Sequence, residues 1–221
     1  MKTLLFLVSF FPLFAFAAAP DAEDMYIARD CPATPSLIAK TISDTYPGQH
    51  VIIPSNKLAL PAGKSAYPKG ELIYLSGRVL DKNCVPVSGA IIDIWQTDPT
   101  GKYVKSTLGD RASPDPHFTG SGRAVTDNLG RFNFVTLFPG PREKRAPHIN
   151  LHITHEDFAT LDTEMFFTND RRNDGDTLLS GLKENQRALL MAKVWPQDSE
   201  DGGLIAHWDI ALKGKNSYRK F

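Results

Sequence analysis

The segment Arg145–His152 (Arg-Ala-Pro-His-Ile-Asn-Leu-His) concentrates the side chains of this sequence that are best suited to chemistry. After Pro147 polar and apolar residues alternate, and successive side chains of a β-strand point to opposite faces. We therefore expect His148, Asn150 and His152 on one face of a strand. Two imidazoles and an amide in a row form either a wall of metal or substrate ligands or a wetted sheet face. The spacing alone leaves both interpretations open.

Two arginines stand just before this strand. Arg142 and Arg145 could pair bidentately with a carboxylate and so form an anion pocket for a substrate. They could equally be solvated loop charges, together with Glu143 and Lys144. The sequence does not decide between an anion pocket and solvated loop charges.

The elements that must position these residues are mostly strands. Alternating or β-branched segments, bounded by turn residues, predict strands at residues 72–79, 85–96, 120–126, 131–138, 148–153, 164–167 and 204–212. One helical pattern covers residues 181–190. The aromatic side chains at strand spacing predicted to lie in the core are Trp95, Phe132, Phe134 and Trp208. This succession predicts an all-β protein, an antiparallel β-sandwich with one short helix.

The beginning of the chain has the pattern of a secretory signal. Lys2 precedes an apolar run, and small residues stand before a cleavage position after Ala17. We therefore predict a signal peptide at residues 1–17, an extended N-terminal arm at 18–70 and a domain at 71–221. The apolar run is short for a membrane span, so we expect a secreted or periplasmic protein with no membrane association.

Charge and cysteine content narrow the function classes. The 25 basic and 25 acidic residues balance, which gives no electrostatic reason to expect binding to nucleic acid. The only two cysteines, Cys31 and Cys84, either form a disulfide or are separate buried thiols. No Gly-rich phosphate loop, Gly-x-Ser-x-Gly elbow or His-Glu-x-x-His motif is present.

An ordered set of motifs resembles the intradiol ring-cleavage dioxygenases, the catechol and protocatechuate enzymes that use non-haem ferric iron. The set runs from Gly77-Arg-Val-Leu-Asp81 through Gly101-Lys-Tyr103 and Gly130-x-Phe-x-Phe134 to Pro139-Gly140 and Arg145-x-Pro-His148. The resemblance covers about residues 70 to 155 in the family's order. It implies a β-sandwich of the intradiol dioxygenase type.

The resemblance also implies where iron ligands would stand. The family holds Fe(III) with two tyrosinates and two histidines, because hard phenolates stabilise the ferric ion. Tyr103 and His148 keep two of these positions, whereas Arg142 replaces the second tyrosine and Asn150 the second histidine. Asn150 remains a possible weak ligand, and His152 another if the metal moved along the strand. In the family the arginine matching Arg145 sits beside the bound substrate, which makes Arg145 the candidate catalytic and substrate-binding residue.

The Ala-Pro-His-Ile-Asn motif is similar to the α chain of protocatechuate 3,4-dioxygenase, which lacks the full iron site and packs against an iron-bearing β chain. The resemblance thus implies a chain with a degenerate site that either cleaves the ring itself or serves as an α-type partner, in a homo-oligomer or a hetero-oligomer with an iron-bearing paralogue. Its ligand would be a small aromatic diol or aromatic acid. A non-catalytic, prealbumin-like binding or structural sandwich is the alternative, since that class shares the Gly-Arg-Val-Leu-Asp pattern.

Overall fold

The computed structural model describes residues 30–37, 52–60, 63, 65–104, 115–198 and 202–214. Its strands are β1 (Leu72–Leu80), β2 (Ile91–Gln96), β3 (Ser121–Val125), β4 (Arg131–Leu137), β5 (His148–His155), β6 (Phe158–Phe167), β7 (Met191–Pro196), β8 (Leu204–His207) and β9 (Ile210–Ala211). Two 3-10 turns (Arg171–Gly175 and Leu179–Gly181) and one helix, α1 (Glu184–Ala188), lie between β6 and β7. The predicted signal peptide lies outside the described residues.

The strands form two layers that share one core. Hydrogen bonding follows the order β3-β2-β5-β6-β7-β8-β1-β4, with β9 beside β1. Strand β7 joins the layers, because its first residues pair with β6 and the rest pair with β8. Ile94 and Leu151 of one layer and Leu75 and Phe134 of the other lie in the same buried cluster. The all-β sandwich is therefore confirmed.

Within this sandwich, three strand pairs are parallel rather than antiparallel as predicted. β1 runs parallel to both β8 and β9, and β6 runs parallel to β7. The chain between β6 and β7 is long enough to return to the same end of the sheet, as a parallel pair requires. A tight hairpin, which would impose an antiparallel pair, does not connect these strands.

Several boundaries also differ from the predicted ones. β7 was not predicted, β6 begins six residues before the predicted start at 164, and residues 204–212 divide into β8 and β9. The predicted helix at 181–190 shortens to α1, because Leu182 and Lys183 before it have an extended backbone. All four aromatic residues predicted for the core are buried.

Residues 52–60, within the predicted N-terminal arm, pack against the sandwich. Leu58 and Ala59 are fully buried. Leu58 donates its backbone N–H to Val135 on the edge strand β4, and Arg123 on the edge strand β3 donates to Ser55. This segment thus covers the two edges of the sheet order and satisfies backbone groups that edge strands leave open.

A disulfide joins Cys31 to Cys84, across 53 residues of sequence. It fastens residues 30–37 to the turn after β1, where Cys31 also donates its backbone N–H to Lys82. Further along, Leu37 donates to Asp162 of β6. The covalent link therefore holds a segment that runs over the outer face of the β2–β5–β6 layer.

Breaking this disulfide should destabilise the protein. Because the cross-link restricts a long loop of the unfolded chain, Cys31→Ser with Cys84→Ser should lower the free energy of unfolding by about 2–4 kcal/mol in chemical denaturation. Reductant should have the same effect on the wild type and none on the double variant. A wild type that is insensitive to reductant would contradict the pairing.

Candidate functional site

Strand β5 carries the predicted polar face as expected. Ile149, Leu151 and Ile153 lie in the shared core, whereas His148 and Asn150 point to the outer face. That outer face is also buried, beneath a second apolar cluster formed by Leu37, Trp95, Ala146, Phe166, Leu179 and Leu190. The site is therefore a covered polar cluster rather than a wetted sheet face.

Tyr103 reaches this cluster from a turn that the sequence builds locally. Asp98 accepts hydrogen bonds from the backbone N–H groups of Thr100 and Lys102, which closes the turn. Gly101 has φ +82°, and a Cβ there would come within 2.3 Å of the Pro141 carbonyl oxygen. Only glycine lets the turn approach the 139–142 segment so closely.

Three side chains meet at the Tyr103 hydroxyl. The Tyr103 Oη lies 3.5 Å from His148 Nε2. The Asn150 side-chain N–H donates to Tyr103 Oη at 3.1 Å and to the Trp95 carbonyl at 3.0 Å. The structure thus brings together three of the residues predicted for the site.

His148 is held in one tautomer. Its Nδ1 lies 2.7 Å from the Ala146 carbonyl oxygen, which can only accept, so Nδ1 carries the proton and Nε2 presents its lone pair toward Tyr103. Burial lowers the pKa of His148 below its usual range. The imidazole is therefore neutral and available as an acceptor at neutral pH.

The electrostatics favour a neutral Tyr103. Burial raises the pKa of its phenol, an effect that the Asn150 hydrogen bond opposes and the Glu164 carboxylate adds to. The phenolate that a ferric ion would require is thus disfavoured by the protein around it.

This shift predicts a pH dependence of stability. A phenol whose pKa is raised on folding stabilises the protein fully below the unfolded value and loses that contribution as the pH rises through the folded value. Between about pH 9 and 12 the wild type should therefore lose stability more steeply than Tyr103→Phe. Urea denaturation across that range measures both slopes, and equal slopes would contradict the shift.

Arg145 is engaged within the protein. Its Nη1 donates to Glu164 Oε1 at 3.3 Å, its Nη2 donates to Glu164 Oε2, and its Nε donates to Asp176 Oδ2 at 3.0 Å. Its side chain is 12% exposed, and both carboxylates are fully buried. The guanidinium also lies 5.9 Å from the centre of the Phe166 ring.

Asp176 fastens the covering segment to the site. Its Oδ2 accepts the backbone N–H of Ala146, and its Oδ1 accepts those of Leu178 and Leu179. These hydrogen bonds outweigh the effect of burial and keep the pKa of Asp176 below its usual value. The carboxylate therefore links Arg145 to the turn that carries Leu179 over the sheet.

Arg142 lies at the rim of the cluster. It exchanges backbone hydrogen bonds with Arg145, and its guanidinium carbon sits 5.5 Å from the centre of the Tyr103 ring. The side chain is 46% exposed and lies 3.8 Å from Glu143. Arg142 is therefore a half-exposed charge at the edge of the site.

His152 makes its contact outside the Tyr103 cluster. Its Nδ1 lies 2.6 Å from Asp162 Oδ1 on β6. Tyr103, by contrast, is contacted by His148 and Asn150. His148, Asn150 and His152 thus lie on one strand, but His148 and Asn150 contact Tyr103 whereas His152 contacts Asp162.

Sequence reasoning did not identify Glu164 and Asp176. Glu164 is a lone carboxylate at the start of the apolar run Met165-Phe-Phe167, a weak sign of a buried charge. Asp176 stands before Leu178 and Leu179 as turn-capping residues do. Neither sign indicates Arg145 as the partner.

The donor set does not fit a ferric centre. Within the described ranges, no group of three or more His, Cys, Asp or Glu side chains is placed to hold a metal ion. Tyr103 supplies one phenol and His148 one imidazole, but Asn150 turns an N–H toward the phenol and Arg142 adds a positive charge. A protonated guanidinium cannot ligate and opposes a nearby cation.

Other surface features of the described chain lie apart from this cluster. A cleft of about 990 Å³ is lined by residues of β1, β3 and β4 together with residues 54–56 and His207. Its lining includes none of the predicted site residues.

No helix among the described residues combines the length and the apolar character needed to cross a membrane.

Comparisons with known proteins place the chain among dioxygenases. The family model described as "Dioxygenase" matches residues 53–214. The protocatechuate 3,4-dioxygenase beta chain of Burkholderia cepacia is 33% identical over 152 residues, which cover 65% of each protein. The chain thus spans slightly less than two thirds of that relative's length.

Solved structures agree in fold. The dioxygenase domain of a dioxygenase–carbohydrate-binding fusion from Streptomyces sp. SirexAA-E has a TM-score of 0.61 at 22% identity, covering 83% of this chain and 99% of its own. An intradiol ring-cleavage dioxygenase from Tetranychus urticae also has a TM-score of 0.61 at 22% identity, covering 86% and 98%. At this identity the likeness shows the fold alone.

Proposed function

Since this chain belongs to the intradiol ring-cleavage dioxygenase family, we propose that it is an exported member acting in aromatic ring cleavage without a complete ferric site of its own. In this proposal it binds a small aromatic diol or acid and works as an α-type partner of an iron-bearing paralogue. The site and the disulfide supply the support.

The contact between Asn150 and Tyr103 is the observation that carries the proposal. At the position of the family's second histidine, an amide N–H donates to the phenol that would have to be a phenolate. Arg142, at the position of the second tyrosine, places its guanidinium over the same ring. Both changes remove an iron ligand, and the guanidinium adds a positive charge that opposes a ferric ion, while burial keeps the phenol neutral by raising its pKa.

The remaining side chains suit an aromatic diol. His148 Nε2 presents a lone pair that can accept a hydroxyl proton, and the Tyr103 hydroxyl can donate or accept. Trp95 and Phe166 supply flat apolar walls beside them. In the proposed site these groups orient the ring and its two hydroxyls.

The disulfide supports export. Structural disulfides persist in oxidising compartments and are rare in the cytosol. Cys31–Cys84 pairs both cysteines of the chain, as expected of a protein delivered by the signal peptide predicted at residues 1–17.

The test is an iron assay on the purified mature protein, with a visible spectrum before and after addition of ferric salt. The proposal expects the chain produced alone to be colourless and to take up no oxygen with catechol or protocatechuate. It expects the chain purified from its own organism to co-purify with a four-ligand paralogue. A tyrosinate-to-Fe(III) band together with oxygen uptake by the chain alone would show a functional centre and overturn the degenerate-site proposal.

A non-catalytic prealbumin-like role remains the second candidate, because the polar groups of the site satisfy one another. In that case neither catechol nor protocatechuate would shift the melting temperature, and no paralogue would co-purify. A thermal shift with either compound would exclude it.

A further inference from the structure

The carboxylate of Glu164 occupies the face of Arg145 that a ligand carboxylate would need. Both Glu164 oxygens accept from the two terminal nitrogens of the guanidinium, in the fork arrangement typical of arginine and carboxylate. Glu164 is fully buried, so it cannot turn away into solvent. The bidentate capacity that the sequence suggested for a substrate is thus used by the protein itself.

Glu164 is also close to the diol site. It lies directly opposite Asn150 in the pairing of β5 with β6, and Asn150 donates to the Tyr103 hydroxyl. Facing residues of paired strands hold their Cβ atoms within about 5 Å of each other. A ligand at Tyr103 would therefore meet the charge of Glu164 as well as that of Arg145.

The buried part of the site already carries a net negative charge. Arg145 supplies one positive charge, and Glu164 and Asp176 supply two negative ones. Asp176 is further held by three backbone N–H groups. An additional carboxylate would make the buried cluster still more negative.

We propose that Glu164 is a specificity-determining residue that restricts the site to uncharged aromatic diols and rejects ring carboxylates. This rests on the proposed function and narrows its ligand, an aromatic diol or acid, to an uncharged aromatic diol. A ring carboxylate would have to displace Glu164 from Arg145 and leave it buried without its partner, or remain unpaired itself. Either outcome disfavours the acid by about 100-fold, since an unpaired buried charge costs a few kcal/mol and each tenfold in affinity corresponds to about 1.4 kcal/mol.

The test compares three ligands that share the diol. Calorimetric titration of the mature protein near neutral pH would measure binding of catechol, protocatechuate and 3,4-dihydroxybenzamide. The amide has the size of the acid without its charge. We expect catechol and the amide to bind with similar affinity and protocatechuate to bind at least about 30-fold more weakly.

A variant assigns the discrimination to Glu164. Glu164→Gln removes the negative charge while Asp176 still pairs with Arg145, and it should improve protocatechuate binding relative to catechol at least tenfold. Asp93→Asn is the matched control. Asp93 is a buried carboxylate on β2, two strands away from Glu164 on β6, and it pairs bidentately with Arg123. This control variant should leave the ratio of the affinities unchanged.

The outcomes separate the two proposals. Protocatechuate binding to the wild type as tightly as catechol, or an amide as weak as the acid, would overturn the role of Glu164 while leaving the diol site intact. If none of the three compounds binds, the proposed function itself fails. The wild-type comparison stands even if Glu164→Gln does not fold.

Discussion

Combining Arg142→Tyr with Asn150→His should create a protein that binds about one Fe(III) per chain and shows tyrosinate-to-iron absorption in the visible range. Tyr103 Oη and His148 Nε2 already lie 3.5 Å apart, with the Asn150 side chain in contact with the same hydroxyl. Arg142 lies over the Tyr103 ring, so the side chain of a tyrosine at position 142 would lie beside Tyr103. Replacing the guanidinium also removes the positive charge that opposes a ferric ion.

A matched double variant separates the effect of charge from that of ligation. Arg142→Phe with Asn150→His removes the guanidinium but adds no phenol, and it should bind iron more weakly and without the second phenolate. A wild type that binds ferric iron as tightly as the Arg142→Tyr, Asn150→His variant would refute the argument that these two residues disable the site.

Arg145→Ala should lower the free energy of unfolding by about 3–5 kcal/mol, because it leaves two buried carboxylates without their cation. Glu164 and Asp176 are both fully buried, and Arg145 joins the strand β6 to the segment that covers the site. Loss of the guanidinium should also weaken the packing over Phe166. Chemical denaturation of the wild type and the variant measures the difference.

The matched control is Arg131→Ala, which breaks an arginine–aspartate pair on the surface. The Arg131 side chain is 63% exposed, and solvent screens its attraction to Asp127. Arg131→Ala should lower the free energy of unfolding far less than Arg145→Ala does. Comparable losses in the two variants would mean that the buried network contributes no special stability.

Much of the fold follows from local sequence. The alternation in His148–His155 places its apolar residues in the core and turns His148 and Asn150 outward, as a period of two requires. Asp98 and Gly101 build the turn before Tyr103 from short-range hydrogen bonds and a positive φ. The ordered motifs between residues 70 and 155 also indicated the family that the match over residues 53–214 shows.

The arrangement between distant segments does not follow from local sequence. β1 pairs in parallel with β8, and β6 with β7. The connections between these strands are long enough for either a parallel or an antiparallel pair, so the sequence does not determine the direction. Leu58 lies in the segment predicted as an arm, and only the folded chain shows that this segment bonds to both sheet edges and packs Leu58 into the core. The pairing of Cys31 with Cys84 was one of two open alternatives until the turn after β1 was placed beside Cys31.

The character of the site depends most on tertiary structure. Local periodicity determines which way a side chain points, and it thereby identified His148 and Asn150 as candidates, whereas Tyr103 was a candidate only through the family resemblance of Gly101-Lys-Tyr103. Periodicity carries no information about which charge lies opposite, because strand register and loop path bring Glu164 and Asp176 to Arg145 from 19 and 31 residues away. An arginine that looked free to bind a substrate is therefore held by carboxylates that only the folded chain brings to it.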